Sequence, residues 1–288
     1  MNKQLINGDN VIILSGMESD SVHLTVTSPP YANAIEYETH AEGTGENYRK
    51  RDEKFSYTNY LRDLSAVFSQ VHRVTVAGGF CAVVISTVLD NKTHTPLPFH
   101  FVSLMESVGW KFHQDIIWHK CTAGIKRAGS FIQHPKMGYF YPNIMTEYIL
   151  VFRKEGEMRR GDTQEVIIGD VFKMDVANNV WHIAPVPPKS VDHPCPFPED
   201  LVTRLIVMYS QEDDTVLDPY MGAGTTLKVA NYMNRNSIGI DILQKYVDLA
   251  EEFIKTPPAI REKQLIVRFD KVDFDLFAQR RSEEYANS

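Results

Sequence analysis

One short run brings a carboxylate, two glycines and two threonines together: Asp218-Pro219-Tyr220-Met221-Gly222-Ala223-Gly224-Thr225-Thr226. Gly222 and Gly224 let the backbone approach a ligand closely, and a helix beginning near Thr225 presents free N–H groups to an anion. Further on, Gly239-Ile240-Asp241 closes the next apolar run with a carboxylate, at roughly the 20-residue spacing at which nucleotide-binding βαβ units hold ribose hydroxyls. Two glycines also suit an ordinary tight turn. The succession of strand, turn, helix, strand and acid favours an adenosine site instead. Because the spacing departs from GxGxxG, it suits an adenosine with a small charged tail better than a dinucleotide.

A second group, Thr27-Ser28-Pro29-Pro30-Tyr31, stops a β-branched run. The two prolines fix φ and remove two N–H donors, which leaves rigid backbone carbonyls free to accept. With the Ser28 hydroxyl before them and the Tyr31 ring after them, they form acceptors for an amino group beside a face on which a flat base can stack. A Pro-Pro turn closing a strand is the plainer alternative. Metal chemistry is not indicated. The ten histidines show no HExxH or similar spacing, and Cys81, Cys121 and Cys195 form no CxxC pair and no disulfide framework.

These groups must sit at the ends of strands. Leu5-Ile6-Asn7 reads as a short strand ending at Gly8-Asp9, and Val22 to Thr27 as a strand stopped by Pro29-Pro30. Leu61, Leu64, Phe68 and Val71 mark one face of a helix from Tyr57 to Val76, which Gly78-Gly79 closes. A buried strand from Phe80 to Ile85, a helix around Phe99 to Val108 capped by Gly109, and strands Asp115 to Trp118 and Glu147 to Phe152 follow. A second series comprises helix Glu199 to Tyr209, strand Thr215 to Asp218, helix Thr225 to Met233, strand Ser237 to Ile240 and helix Leu243 to Ile254. Such alternation predicts an α/β fold with a doubly wound, mostly parallel sheet. The chain divides into residues 1–154 with the Ser28 motif, 155–190, 191–256 with the Asp218 motif, and a charged tail, 257–288. Residues 155–190 mix short apolar runs such as Val166-Ile167-Ile168 with charged and proline-rich pieces and read as an appended module.

The bulk composition sets limits on function. At 288 residues with 43% hydrophobic content, the chain buries a full α/β core. No apolar run approaches the roughly 20 residues that span a bilayer, and the N-terminus turns polar too early for a secretory signal, so a cytoplasmic protein is expected. A formal charge of −7 argues against a general nucleic-acid binder. The middle of the chain is nonetheless basic: from His119 to Arg160, Lys120, Lys126, Arg127, Lys136, Arg153, Lys154, Arg159 and Arg160 face only Glu147, Glu155 and Glu157.

Thr27 to Tyr31 and Asp218 to Thr226 together resemble the two signature motifs of amino-type DNA methyltransferases. With the Ser-Pro-Pro-Tyr motif first and the glycine motif last, the order is similar to the permuted β group of these enzymes. Asn7-Gly8-Asp9 resembles the family's acid for the cofactor adenine, Gly239-Ile240-Asp241 its ribose acid, and His193 to Leu201 the entry into its first cofactor-side helix. The resemblance covers most of residues 5 to 255. It implies a Rossmann-like S-adenosylmethionine-dependent methyltransferase fold, with a seven-stranded mixed sheet, helices on both faces and the last hairpin strand antiparallel. Enzymes that methylate protein glutamine or RNA bases also use a Pro-Pro-Tyr pocket, but with the cofactor motif ahead of it.

The resemblance implies specific roles. Ser28, Pro29, Pro30 and Tyr31 are expected to act on the base, and Asp9, Thr27, Asp218, Pro219, Tyr220, Gly222, Gly224, Thr225 and Asp241 to hold S-adenosyl-L-methionine. Ser before Pro-Pro-Tyr is typical of the family's N4-cytosine enzymes, whereas its adenine enzymes usually carry Asp or Asn there. The implied partner is double-stranded DNA, with a cognate restriction endonuclease and a second copy of the chain as further candidates. Residues 33 to 55 read as a loop closing over DNA, so Arg49, Lys50 and Arg51 join Lys120, Lys126, Arg127 and Lys136 as candidate DNA contacts. Target recognition is placed in 155–190 with the glycine- and proline-rich loop 120–145. Cys195 follows Pro194, the pair that carries the nucleophile in enzymes acting on cytosine C5. Its neighbours Pro196, Phe197 and Pro198 match the amino-methyltransferase segment instead, where a small residue packs.

Overall fold

A computed structural model of the chain describes residues 2–31, 56–90, 93–120, 137, 144–157, 165–166, 176–187, 191, 193, 196–258 and 267–268. The elements in its first half are β1 (Lys3–Asn7), α1 (Asn10–Gly16), β2 (Val22–Thr27), α2 (Tyr57–Val74), β3 (Thr75–Ile85), β4 (Val88–Asp90), β5 (Thr93–Thr95), α3 (Leu97–Ser107), β6 (Lys111–His119) and β7 (Thr146–Arg153). In the second half come β8 (Glu165–Val166), β9 (Val180–His182), α4 (Glu199–Tyr209), β10 (Thr215–Asp218), α5 (Thr225–Tyr232), β11 (Asn236–Asp241), α6 (Gln244–Phe253) and β12 (Val267–Arg268).

The main sheet has the order β1-β11-β10-β2-β3-β7-β6-β9. From β1 through β3 all neighbours run parallel, while β7 lies antiparallel between β3 and β6. This is the doubly wound mixed sheet with its one antiparallel hairpin strand, enlarged from the expected seven strands to eight. The added strand is β9, which joins β6 in parallel at the sheet edge. It comes from the stretch 155–190, expected as an appended module. Three residues are too few to show a period, but Trp181 is fully buried and Val176 and Ile183 are nearly so. Trp118 Nε1 also donates to the Ile183 carbonyl at 2.8 Å. This piece of 155–190 therefore packs into the central core.

Continuous apolar strands are what a sheet covered on both faces requires. Successive side chains point to opposite faces, so Cys81, Val83 and Ile85 of β3 join Leu64, Phe68 and Phe101 of α2 and α3 on one side. Ala82 and Val84 join Leu201, Leu205 and Val229 of α4 and α5 on the other. The buried residues Leu64, Val67, Phe68, Val71 and Val74 give α2 its single apolar stripe.

The boundary after α2 differs from the expectation. The helix stops at Val74, where Thr75 Oγ1 donates to the Val71 carbonyl at 2.6 Å, and β3 begins at once. Gly78-Gly79 lies inside the strand. Gly78 has φ +75°, and a Cβ on Gly79 would come 2.9 Å from the His23 carbonyl oxygen. The pairing of β2 with β3 shifts register between Val22 and Leu24, so the glycine pair is a bulge where two backbones pass closely. The short helix α1, a further element beyond those expected, follows β1 directly. Asp9 caps it, accepting from Ile12 N at 3.0 Å. Among the described residues no helix is long and apolar enough to cross a membrane.

Candidate functional site

The carboxyl ends of β1, β11, β10 and β2 lie side by side, in register at Asn7↔Asp241, Asp218↔Gly239 and Leu217↔Thr25. This places the acids Asp9, Asp218 and Asp241 and the Ser28 motif at one edge of the sheet, where an open α/β sheet binds its ligand. A cavity of about 780 Å³ opens there. Asp9, Tyr220, Gly222, Thr225 and Asp241 line one part of it, and Ser28, Pro30 and Tyr31 line another. The two motifs, separated by most of the chain, share a single cleft.

Asp218 is the hub of the first part. It is 1% exposed, and its Oδ1 accepts from Thr27 Oγ1 at 2.7 Å and from Tyr220 N at 3.1 Å. Burial pushes its carboxyl up to about 6. The donors Thr27, Thr226 and Tyr220 N–H pull it back, and nearby Asp241 raises it further. Thr27 and Asp218 thus support the turn from behind, and neither is among the residues that wall the cavity. Asp241 accepts from Gly222 N through Oδ2 and from Leu243 N through Oδ1, each at 2.9 Å. Burial raises its pKa, and those two bonds lower it. A carboxylate has about four acceptor positions, so two remain to receive hydroxyls from the cavity side.

The glycine turn is shaped for close approach. Gly222 has φ +51°, and a Cβ there would meet His193 Nε2 at 2.6 Å; Gly224 has φ +81°, and its Cβ would meet the Ala250 Cβ at 2.7 Å. Gly224 caps α5 without a side-chain hydrogen bond, so the first N–H groups of that helix keep their donor capacity for a ligand carboxylate. Asn10 Nδ2 donates to the Pro219 carbonyl at 3.2 Å, tying α1 to the turn. The Tyr220 phenol is raised by burial, with the Asn10 side chain lowering it and Asp63 and Asp9 raising it. An acid with open acceptor positions for a diol, a second acid at the cavity wall in Asp9 and an open helix end fit S-adenosylmethionine.

The second part surrounds the proline motif. Ser28 is half-buried and Pro29 buried. Tyr60 of α2 donates through its hydroxyl to the Pro30 carbonyl at 2.7 Å. The Tyr31 hydroxyl donates to Glu147 Oε2 at 2.7 Å, and the other carboxylate oxygen is paired with the Lys120 ammonium. That ammonium lies 4.8 Å from the Trp118 ring centroid. Lys120, expected among the DNA contacts, is thereby turned inward onto Glu147. Arg49, Lys50, Arg51, Lys126, Arg127 and Lys136, like Cys195, lie outside the described residues. Cys81 is buried in the core, where desolvation raises its thiol pKa. Among the described residues no group of three or more His, Cys, Asp and Glu side chains could hold a metal.

Sequence reasoning missed Glu147, Trp118, Tyr60, Asn10 and the ring of His193 as parts of this site. Glu147 carried a signal, an acid opening an otherwise apolar strand. Tyr60 carried none, since it shares a helix turn with other aromatic and polar residues.

The sequence model of the DNA methylase family matches residues 22–252. The Type II methyltransferase M.BglII of Bacillus subtilis is 29% identical, over 88% of this chain and 69% of its own. The Type II methyltransferase M.MjaI of Methanocaldococcus jannaschii is also 29% identical, over 93% of this chain and 95% of its own. Among solved structures, a DNA modification methylase of Thermus thermophilus in complex with S-adenosyl-L-methionine is similar, with a TM-score of 0.65, 26% identity, and coverage of 90% of this chain and 98% of that one. The cytosine-N4-specific PvuII DNA methyltransferase shares the fold at a TM-score of 0.68 and 19% identity, over 91% of this chain and 89% of that one.

Proposed function

From the premise that this chain belongs to the β group of amino DNA methyltransferases, enzymes that use S-adenosylmethionine, we propose that it methylates N4 of cytosine at a specific site in double-stranded DNA. The observation that carries this reading is Ser28, half-buried in the wall of the shared cleft beside Tyr31. A serine before Pro-Pro-Tyr is typical of the N4-cytosine members that the motif resembles, where adenine enzymes usually carry Asp or Asn.

The bound cofactor supplies a methyl group already activated on a sulfonium. The remaining work is alignment and activation of the amine. An exocyclic amine is a poor nucleophile because its lone pair is delocalised into the ring. Hydrogen bonds accepted by Ser28 Oγ and the Pro29 carbonyl favour a more tetrahedral nitrogen and expose that lone pair for in-line attack, without a strong general base. The target base leaves the duplex stack to reach these groups, and stacking on Tyr31 offsets part of the cost. In the cofactor half, Asp241 takes the ribose hydroxyls, Asp9 the adenine side, and Asp218 orders the turn around the methionine end. Recognition of the DNA sequence falls to residues 120–190, which the sequence alone reads as basic and rich in loop-forming residues. A cognate restriction endonuclease and a second copy of the chain are the protein partners of this reading.

Nucleoside mass spectrometry of DNA methylated by the purified protein tests the assignment. N4-methyldeoxycytidine is the expected product. N6-methyldeoxyadenosine would overturn the cytosine reading alone, and C5-methylcytosine would return Cys195 as a nucleophile.

A further inference from the structure

The wall of the cleft behind Tyr31 contains a buried ion pair that the chemistry above does not use. Glu147, the second residue of β7, has its side chain 9% exposed, and Lys120, just past the end of β6, has its side chain 14% exposed. A carboxylate this far from water is costly unless a cation and hydrogen bonds satisfy it. Lys120 satisfies one oxygen, and the Tyr31 hydroxyl reaches the other at 2.7 Å, within the range of a charge-assisted hydrogen bond. The backbone end of the same residue is held as well. Pro29 and Pro30 fix the chain before it, and Tyr60 donates to the Pro30 carbonyl at 2.7 Å. The Tyr31 ring is therefore tethered at both ends while it lines the cavity.

We infer that Glu147 is a positioning residue that holds the Tyr31 ring as a preformed stacking face for the extruded base, with Lys120 keeping the carboxylate in place. The inference rests on the reading that Tyr31 stacks on the target. Its physical content is preorganisation. A ring already fixed in the stacking plane pays no ordering cost when the base arrives, so the extruded state is more populated and aligned for attack. A purely structural ion pair would contribute to stability and leave extrusion unchanged.

A double-mutant cycle separates the two. Tyr31→Phe removes only the hydroxyl, and Lys120→Met with Glu147→Leu removes the pair together without stranding a charge. The readouts are thermal melting, S-adenosylmethionine affinity, kcat, and the emission of a fluorescent base analogue at the target position of a duplex carrying the methylated site. Each change alone is expected to lower kcat and the emission increase by roughly tenfold, with cofactor affinity unchanged. Their combination should lose no more than either alone, because both remove one hydrogen bond. Additive losses, or a Tyr31→Phe protein with wild-type kcat and emission, would overturn the role of Glu147. An absent emission increase in the unmodified, methylating protein would instead remove the stacking reading beneath it.

Discussion

At the residue scale the group beneath the glycine turn is a carboxylate placed where water hardly reaches it. Burial lifts the Asp218 carboxyl to about 6, above the value of roughly 3.9 for an unfolded aspartate. The folded pKa is raised, so the stability contributed by this group is fully present below the unfolded pKa and is lost as pH rises through about 6. In the proposed reading ligand binding runs the other way, because the ionised carboxylate behind the turn favours the cationic tail of S-adenosylmethionine. Calorimetric affinity for the cofactor is expected to strengthen between about pH 5 and pH 7.5 in the unmodified protein. Asp218→Asn keeps an acceptor for Thr27 and Tyr220 N–H but flattens that profile, binds roughly tenfold more weakly above pH 7, and melts no lower than wild type there. A pH-independent affinity in the unmodified protein would deny Asp218 this part. The acid was legible from its place between an apolar strand and a glycine turn. Its pKa was not, since that depends first on burial in the folded chain and then on hydrogen bonds from Thr27, Thr226 and the Tyr220 N–H.

At the element scale, the glycine turn between β10 and α5 is fixed by its backbone conformation and by what packs against it. Gly224 lies at φ +81° with α6 against it, so a methyl group meets both backbone strain and overpacking. Gly224→Ala is expected to cost about 2–4 kcal/mol, read as a fall of roughly 5–15 °C in melting temperature together with loss of cofactor binding. A variant that melts and binds as wild type would show the turn to be tolerant. The strands and helices from Glu199 onward were legible because each carries a full period and a clear stop. Gly78-Gly79 misled for a specific reason: two glycines end a helix or bulge a strand equally well, and only the approach of the His23 carbonyl selects between them. At β9 the sequence offered too short a run, and burial of Trp181 against α4, with the Arg204 guanidinium 5.3 Å from its ring centroid, defines the strand from outside.

At the scale of the whole molecule, an acidic chain with a formal charge of −7 must meet DNA through a local excess of cations. With Lys120 committed to Glu147, the remaining cations of the basic stretch carry the phosphate contacts in the proposed reading. Replacing Lys126 and Arg127 together by alanine is expected to weaken DNA binding across sequences and reduce the slope of log K against log salt by about 2, with cofactor affinity nearly unchanged. Equal loss of both affinities would point to misfolding. The sequence by itself determined the fold class, the order of the two motifs and the identities of the acids, prolines and glycines that make them, because each of these is a property of neighbours along the chain. The tertiary structure alone decided which groups meet across it. Thr27 finds Asp218 from 191 residues away and Tyr31 finds Glu147 from 116. Such pairs follow from strand order in a sheet packed on both faces, a long-range outcome of core packing on which local propensity is silent.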